Sequence, residues 1–246
     1  MNRYAVLVET SSLRGHDDLP GAKADVESYR KWLKSDFGGA WEDSEIRMLS
    51  KPTKSALQRA IQLAGIHDYG VITFSGHGHH VKGKGIDETR LCINDNEEIS
   101  VYDLNPQCSY SLIVADACRM VSILNAEARA RAFAMALQES QRRLKPNRAR
   151  CRALFDTALS KAEKGPIFFY SCGLNEAASD VPSFSVRLVE VAQKWAESIE
   201  EERGLLPSDR AFRAAAEAIT LRNRHQNPES YSGRRMRHFP WGVVAS

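Results

Sequence analysis

The sequence predicts an α/β fold in three layers, with a mainly parallel central sheet flanked by helices. Short apolar runs alternate with longer segments of helical period, the pattern of strands buried on both faces and joined by crossovers. At 246 residues, one sheet covered on both sides uses most of the chain.

The first strand is expected at residues 4–8, where YAVLV precedes a polar stretch. The turn signal Leu19-Pro20-Gly21 then opens a helix in which Ala22, Val26, Tyr29 and Leu33 recur at helical spacing. A second strand is placed at 45–49, and Thr53 caps a second helix carrying Leu57, Ile61 and Ala64. Further strands are expected at 71–74, 111–115 and 167–171, with a last one near 239–244. Leu188, Ala192, Trp195 and Ile199 mark a late amphipathic helix, and Phe212, Ala216 and Ile219 mark another, opened by Ser208 as cap. Two regions break this rhythm. Residues 82–100 are polar, with a short hairpin expected through Leu91 and Ile93. Residues 126–164 are rich in Arg and Lys; their flanks show helical period (Ala126, Ala130, Phe133 and Leu137, then Leu154 and Ala158), whereas their middle, QRRLKPNRARCR, does not and reads as a solvated loop.

Bulk composition excludes several classes. A net charge of +3 does not by itself argue for nucleic acid, and no stretch has the apolar length of a bilayer span. The opening MNRYAVLVETSS is too short and too soon polar for a signal peptide. Five scattered cysteines form no disulfide framework, which fits a reducing compartment and a cytoplasmic location.

Two strands end unusually. VITFSGHGHH hands an apolar run to Ser75-Gly76 and then to His77, His79 and His80. SLIVADACRM delivers Asp116, Ala117 and Cys118 where its strand should leave the sheet. In parallel α/β sheets, ligands gather at carboxyl ends of strands. A thiol and an imidazole at neighbouring ends can serve as nucleophile and base. Each alone has a plainer reading, as a small buried hydrophobe and a hydrogen-bonded structural histidine. A zinc site built from His77, His79 and His80 is disfavoured, because neighbours on extended backbone point to opposite sides and no CxxC or HExxH spacing completes it.

The ordered motifs resemble a caspase-like cysteine peptidase of the metacaspase and prokaryotic caspase group. The Gly21-Ala-Lys-Ala-Asp25 helix start, Ser75-Gly-His-Gly78, Asp116-Ala-Cys118 and the later segments PIFFYSCGLNEAASD, SFSVRLVEV and QNPESYSG follow the group's order across nearly the whole chain. The resemblance implies one peptidase domain over 1–246, with a large-subunit-like part to about 125, a linker region near 126–164 and a small-subunit-like part from about 165. It implies His77 and Cys118 as the catalytic dyad, backbone N–H groups of Gly78 and Cys118 as oxyanion donors, and Asp25, Ser75 and Asp116 as a basic-selective P1 pocket. His79 and His80 are then ordinary loop residues.

A carboxylate two residues before the thiol hinders thiolate formation until a cation neutralises it, and two carboxylates favour the forked guanidinium. The expected activity is therefore cleavage of protein substrates after Arg, with Lys second. Arg142, Arg143, Arg148, Arg150 and Arg152 make the basic stretch an expected processing segment, cut by the enzyme itself or by an upstream protease or other regulator. The resemblance also suggests a bacterial defence or cell-death setting. Arg119-Met120 replace the Ser-Gly that often follows the nucleophile, which leaves that loop's shape open. No metal or other cofactor is expected: Asp87, Glu88, Asp95, Glu97 and Glu98 supply charge but no recognisable calcium cluster, so calcium dependence stays open. Two alternatives are a catalytically idle binding module and a nucleic-acid-associated protein using the Arg-rich insert.

Overall fold

The computed structural model describes residues 1–83, 85–121 and 145–246. Its centre is a six-stranded sheet. Strand β1 (Arg3–Thr10) is buried at all eight positions, as a central strand covered on both faces must be. It pairs in parallel with β2 (Ile46–Ser50) on one side and β3 (Tyr69–Gly76) on the other. Next come β7 (Tyr110–Asp116) and β8 (Gly165–Tyr170), also parallel. The short β10 (Glu229–Tyr231) closes that edge antiparallel, giving the order β10-β8-β7-β3-β1-β2.

Strand alternation sorts the core into two layers. Ala5, Leu7, Val71, Leu112, Val114 and Phe169 face one cluster, built with α1 (Pro20–Lys34), α3 (Arg148–Ser160), α4 (Phe184–Ser198) and α5 (Ser208–Arg222). Val6, Val8, Ile72, Phe74, Ile113 and Tyr170 face the other, closed by α2 (Lys54–Gly65) and a small antiparallel sheet of β4 (Gly78–Gly83), β5 (Ile86–Cys92) and β6 (Glu98–Ser100). Thr53 caps α2 as expected, accepting from the Ala56 N–H at 3.3 Å. Ser183 caps α4 in the same way through Val186.

The strand expected near 239–244 forms as β11 (Pro240–Ala245), and it pairs antiparallel with β9 (Arg203–Pro207) in a separate two-stranded sheet. Three expectations are corrected. Ser208 is not a side-chain cap: Pro207 occupies the N-cap position of α5. His79 and His80 lie on β4, not in a loop, and His80 is buried with its ring 2.8 Å from Asp87. Of the stretch expected to be a loop without period, residues 148–152 instead start α3, with Asn147 accepting from the Arg150 N–H at 3.0 Å; residues 126–144, with the helical period expected at Ala126, Ala130, Phe133 and Leu137, lie outside the described residues.

That last correction bears on the processing arginines. Arg148 donates to the Lys34 and Trp41 carbonyls, Arg150 to the Ser246 carbonyl, and Arg152 to the Ala40 carbonyl and Glu45. All three are helical and engaged, so the mobile-loop expectation does not fit them. Arg142 and Arg143 lie outside the described residues. Among the described residues no helix is long and apolar enough to cross a membrane.

Candidate active site

Strands β3 and β7 are direct neighbours in parallel register, with Ser75 opposite Asp116. His77 and Cys118 follow that pair by two residues each, so both leave the sheet at the same carboxyl-terminal edge. The two chains stay together beyond it, because the His80 N–H donates to the Met120 carbonyl at 2.9 Å. Gly78 has to be glycine here: an added Cβ would sit 2.9 Å from the Ala117 Cβ and 3.1 Å from the Cys118 carbonyl oxygen. This closeness puts the two expected oxyanion donors, the N–H groups of Gly78 and Cys118, on adjoining backbone.

The His77 ring is held by its Nε2, 2.8 Å from the Asp17 carbonyl. A carbonyl only accepts, so Nε2 carries the proton and Nδ1 is left as the basic atom. Burial holds the imidazole below its ordinary pKa, with the Asp17 carbonyl pulling the other way and His16, whose ring packs 4.6 Å away, adding to the depression. The Cys118 sulfur accepts from the Ala178 N–H at 3.3 Å. Burial pushes its thiol up, the Ala178 N–H opposes this, and nearby Asp116 adds to the rise. At rest Cys118 is therefore a thiol and His77 a neutral imidazole.

The expected pocket residues come together on the α1 and α4 side of the sheet. Asp25 accepts from the hydroxyls of both Ser75 and Ser183, and Asp116 accepts from the Ser185 N–H at 2.8 Å. Asp25 and Asp116 are 1% and 5% exposed, and among the described residues neither has an ion-pair partner. Burial first, and then Asp116, pushes the Asp25 carboxyl well above the usual carboxylate range. Burial likewise raises Asp116 against the hydrogen bonds from Ser185 and Ser171. Tyr29 Oη and Ser185 Oγ are also buried here without a well-formed hydrogen bond.

Sequence reasoning missed several residues. Ser183 and Ser185 come from the start of α4, and Asp180 accepts from the Gly21 N–H at 3.1 Å. Arg119, which stood out only as a departure from the expected motif, anchors the loop after the nucleophile. The residue is 5% exposed, and its guanidinium stacks 4.1 Å over Tyr170 and donates to Thr89, the Cys172 carbonyl and Glu229. The acids 87–98 are also not simply solvated: Asp95 accepts from the Arg14 N–H, and Glu97 from the Lys54 N–H and Asn94.

A thiol and a neutral imidazole at adjacent strand ends, over a buried acidic pocket, have the arrangement of a thiol-dependent acyl-transfer site. The family model described as "Caspase domain" matches residues 2–238, and the chain belongs to that family of cysteine peptidases. No curated protein sequence matches closely enough to count as a relative. Among solved structures, a protein of Geobacter sulfurreducens aligns with a TM-score of 0.58 at 16% identity, covering 94% of this chain and 93% of that one. Caspase-1 from Spodoptera frugiperda aligns with a TM-score of 0.55 at 12% identity, covering 95% and 88%. At these identities the likeness speaks for the fold alone.

Proposed function

We propose that the chain is a cysteine endopeptidase that cleaves proteins after Arg, with Lys second. The observation that carries the specificity is the pair of buried carboxylates, Asp25 and Asp116, without a cation among the described residues. Burying such charges uncompensated is costly, and burial raises both carboxyls above their ordinary range. A guanidinium entering the pocket pairs with them as they ionise, and its fork suits two acceptors. It also removes the Asp116 charge that opposes thiolate formation at Cys118.

In the reaction, His77 Nδ1 takes the Cys118 proton as the sulfur attacks the scissile carbonyl carbon. The N–H groups of Gly78 and Cys118 receive the oxyanion. As the tetrahedral species collapses, the peptide C–N bond breaks and His77 returns the proton to the leaving amine. Water, deprotonated by His77, then attacks the thioester, and the carboxylic acid product leaves with the thiol restored.

Control by processing is part of the same proposal. With Arg148, Arg150 and Arg152 engaged on α3, Arg142 and Arg143 are the favoured cut sites, used by the enzyme itself or by an upstream protease. A bacterial defence or cell-death role rests on the family resemblance, and a cytoplasmic setting on the unpaired cysteines. The test is labelling with a peptidyl-arginine chloromethylketone. Alkylation mapped to Cys118, and absent for the aspartyl analogue, supports the reading; a folded chain that neither reagent labels refutes it.

A further inference from the structure

We propose that His79, Cys92 and Glu98 form a binding site for a zinc-type divalent transition-metal ion beside the catalytic histidine. The inference does not depend on the peptidase reading. The three residues come from three adjacent strands, and register puts them on one face. His79 stands opposite Arg90, so Cys92, two residues on, is its diagonal neighbour, and Cys92 stands opposite Glu98. One ligand atom from each residue lies within 4.8 Å of the other two. The Glu98 carboxylate is 3.7 Å from His79 Nε2 and 3.6 Å from Cys92 Sγ. Zinc bonds of about 2.0–2.3 Å at tetrahedral angles separate ligand atoms by roughly 3.3–3.7 Å, so small side-chain movements complete the set.

The donor chemistry selects the ion. A thiolate and an imidazole suit zinc and its borderline-soft neighbours, whereas calcium and magnesium ask for oxygen alone. Thiolate and carboxylate together balance a double positive charge. As the metal–sulfur bond forms, the Cys92 thiol proton passes to solvent, and its contact with Glu98 gives way to shared coordination. Arg90, the cation on the same face, is paired with Glu88. Cys92 and Glu98 also line an open cavity of about 380 Å³ with His16, Asn94 and Asp95, which gives an ion a way in and leaves a fourth position for water.

The position matters for the neighbouring site. The Cys92 N–H donates to the His77 carbonyl at 3.0 Å, and His79 follows His77 by two residues. An ion held by both strands would brace the backbone that carries the candidate base. No short ligand spacing announced the site, because the pairing of β4, β5 and β6 assembles it.

The test uses the metal-stripped full chain carrying Cys118→Ala, so that the candidate nucleophile cannot supply a thiolate. Cobalt(II) is titrated in and followed by absorbance. The expected result is one equivalent bound, with a thiolate-to-cobalt charge-transfer band and the intense visible bands of a four-coordinate site, displaced by zinc. Adding Cys92→Ser should abolish the charge-transfer band, and His79→Gln or Glu98→Gln should weaken binding by on the order of a hundredfold. Circular dichroism checks that each variant is folded. A folded Cys118→Ala chain without the band, or a band that survives Cys92→Ser, overturns the proposal.

Discussion

Ser75 on β3 stands directly opposite Asp116 on β7, and this single pairing sets the level of the whole candidate site. It places a hydroxyl and a carboxyl on the face that α1 and α4 cover, and it brings His77 and Cys118 out of the sheet together. Asp25 then reaches Ser75 from α1, so three elements meet at one buried acidic point.

The first prediction concerns the dyad. Cys118→Ala and His77→Ala should each lower peptide turnover by about 10²-fold or more, the usual scale for positioned acid–base and nucleophilic groups. Neither side chain belongs to the hydrophobic clusters, so circular dichroism and the urea midpoint should hardly change.

The second concerns a trade between stability and specificity. The folded chain binds the Asp25 and Asp116 protons more tightly than the unfolded chain does. Stability therefore falls as pH rises from the ordinary carboxylate range, about 3.9, through the raised folded values. Asp25→Asn removes its share of that loss, so its melting temperature should exceed that of the wild type, with a gap that widens from about pH 4 to its full size above the raised Asp25 value. The same variant should lose Arg turnover. Asp116→Asn should cost more, about 3 kcal/mol or roughly a hundredfold in kcat/KM, because it leaves a buried guanidinium short of a charge.

The third concerns Arg119. Arg119→Met removes its hydrogen bonds to Thr89 and the buried Cys172 carbonyl, along with the Glu229 ion pair. A loss of about 2 kcal/mol in urea unfolding is expected, mainly from orphaned buried acceptors. Arg119→Lys keeps the charge but not the fork, and it should recover only part of that loss.

Much of this was legible because the central strands advertise themselves. Strands β1, β3 and β7 are buried along their whole lengths, so their apolar runs and abrupt polar ends appear in the sequence. Helix α3 was half legible: Leu154 and Ala158 show its period, but the arginines around Cys151 made its first turns read as a solvated loop. Asn147 as cap was the signal to use. Short edge strands such as β10 carry too few residues to show a period. Ser183, Ser185 and Arg119 join the site only through tertiary contacts, which no local pattern encodes.

The fourth concerns processing. Changing Arg142 and Arg143 to Gln should abolish new termini, as mapped by mass spectrometry, whereas changing Arg148 and Arg150 should not. Arg152→Gln should instead lower the melting temperature, since it breaks the ion pair with Glu45. Termini that appear in wild type but not in Cys118→Ala identify self-cleavage; termini that need an added protease identify a cascade. Cuts inside α3 in the intact fold would contradict the assignment.

The most direct test of the central claim is a peptide-library digest by the purified protein, with cleavage sites read by mass spectrometry for wild type, Cys118→Ala and Asp116→Asn. The account predicts cuts after Arg and fewer after Lys in wild type, none with Cys118→Ala, and a collapse of the Arg preference with Asp116→Asn. Cleavage after Asp, or an Arg preference unchanged by Asp116→Asn, would contradict it.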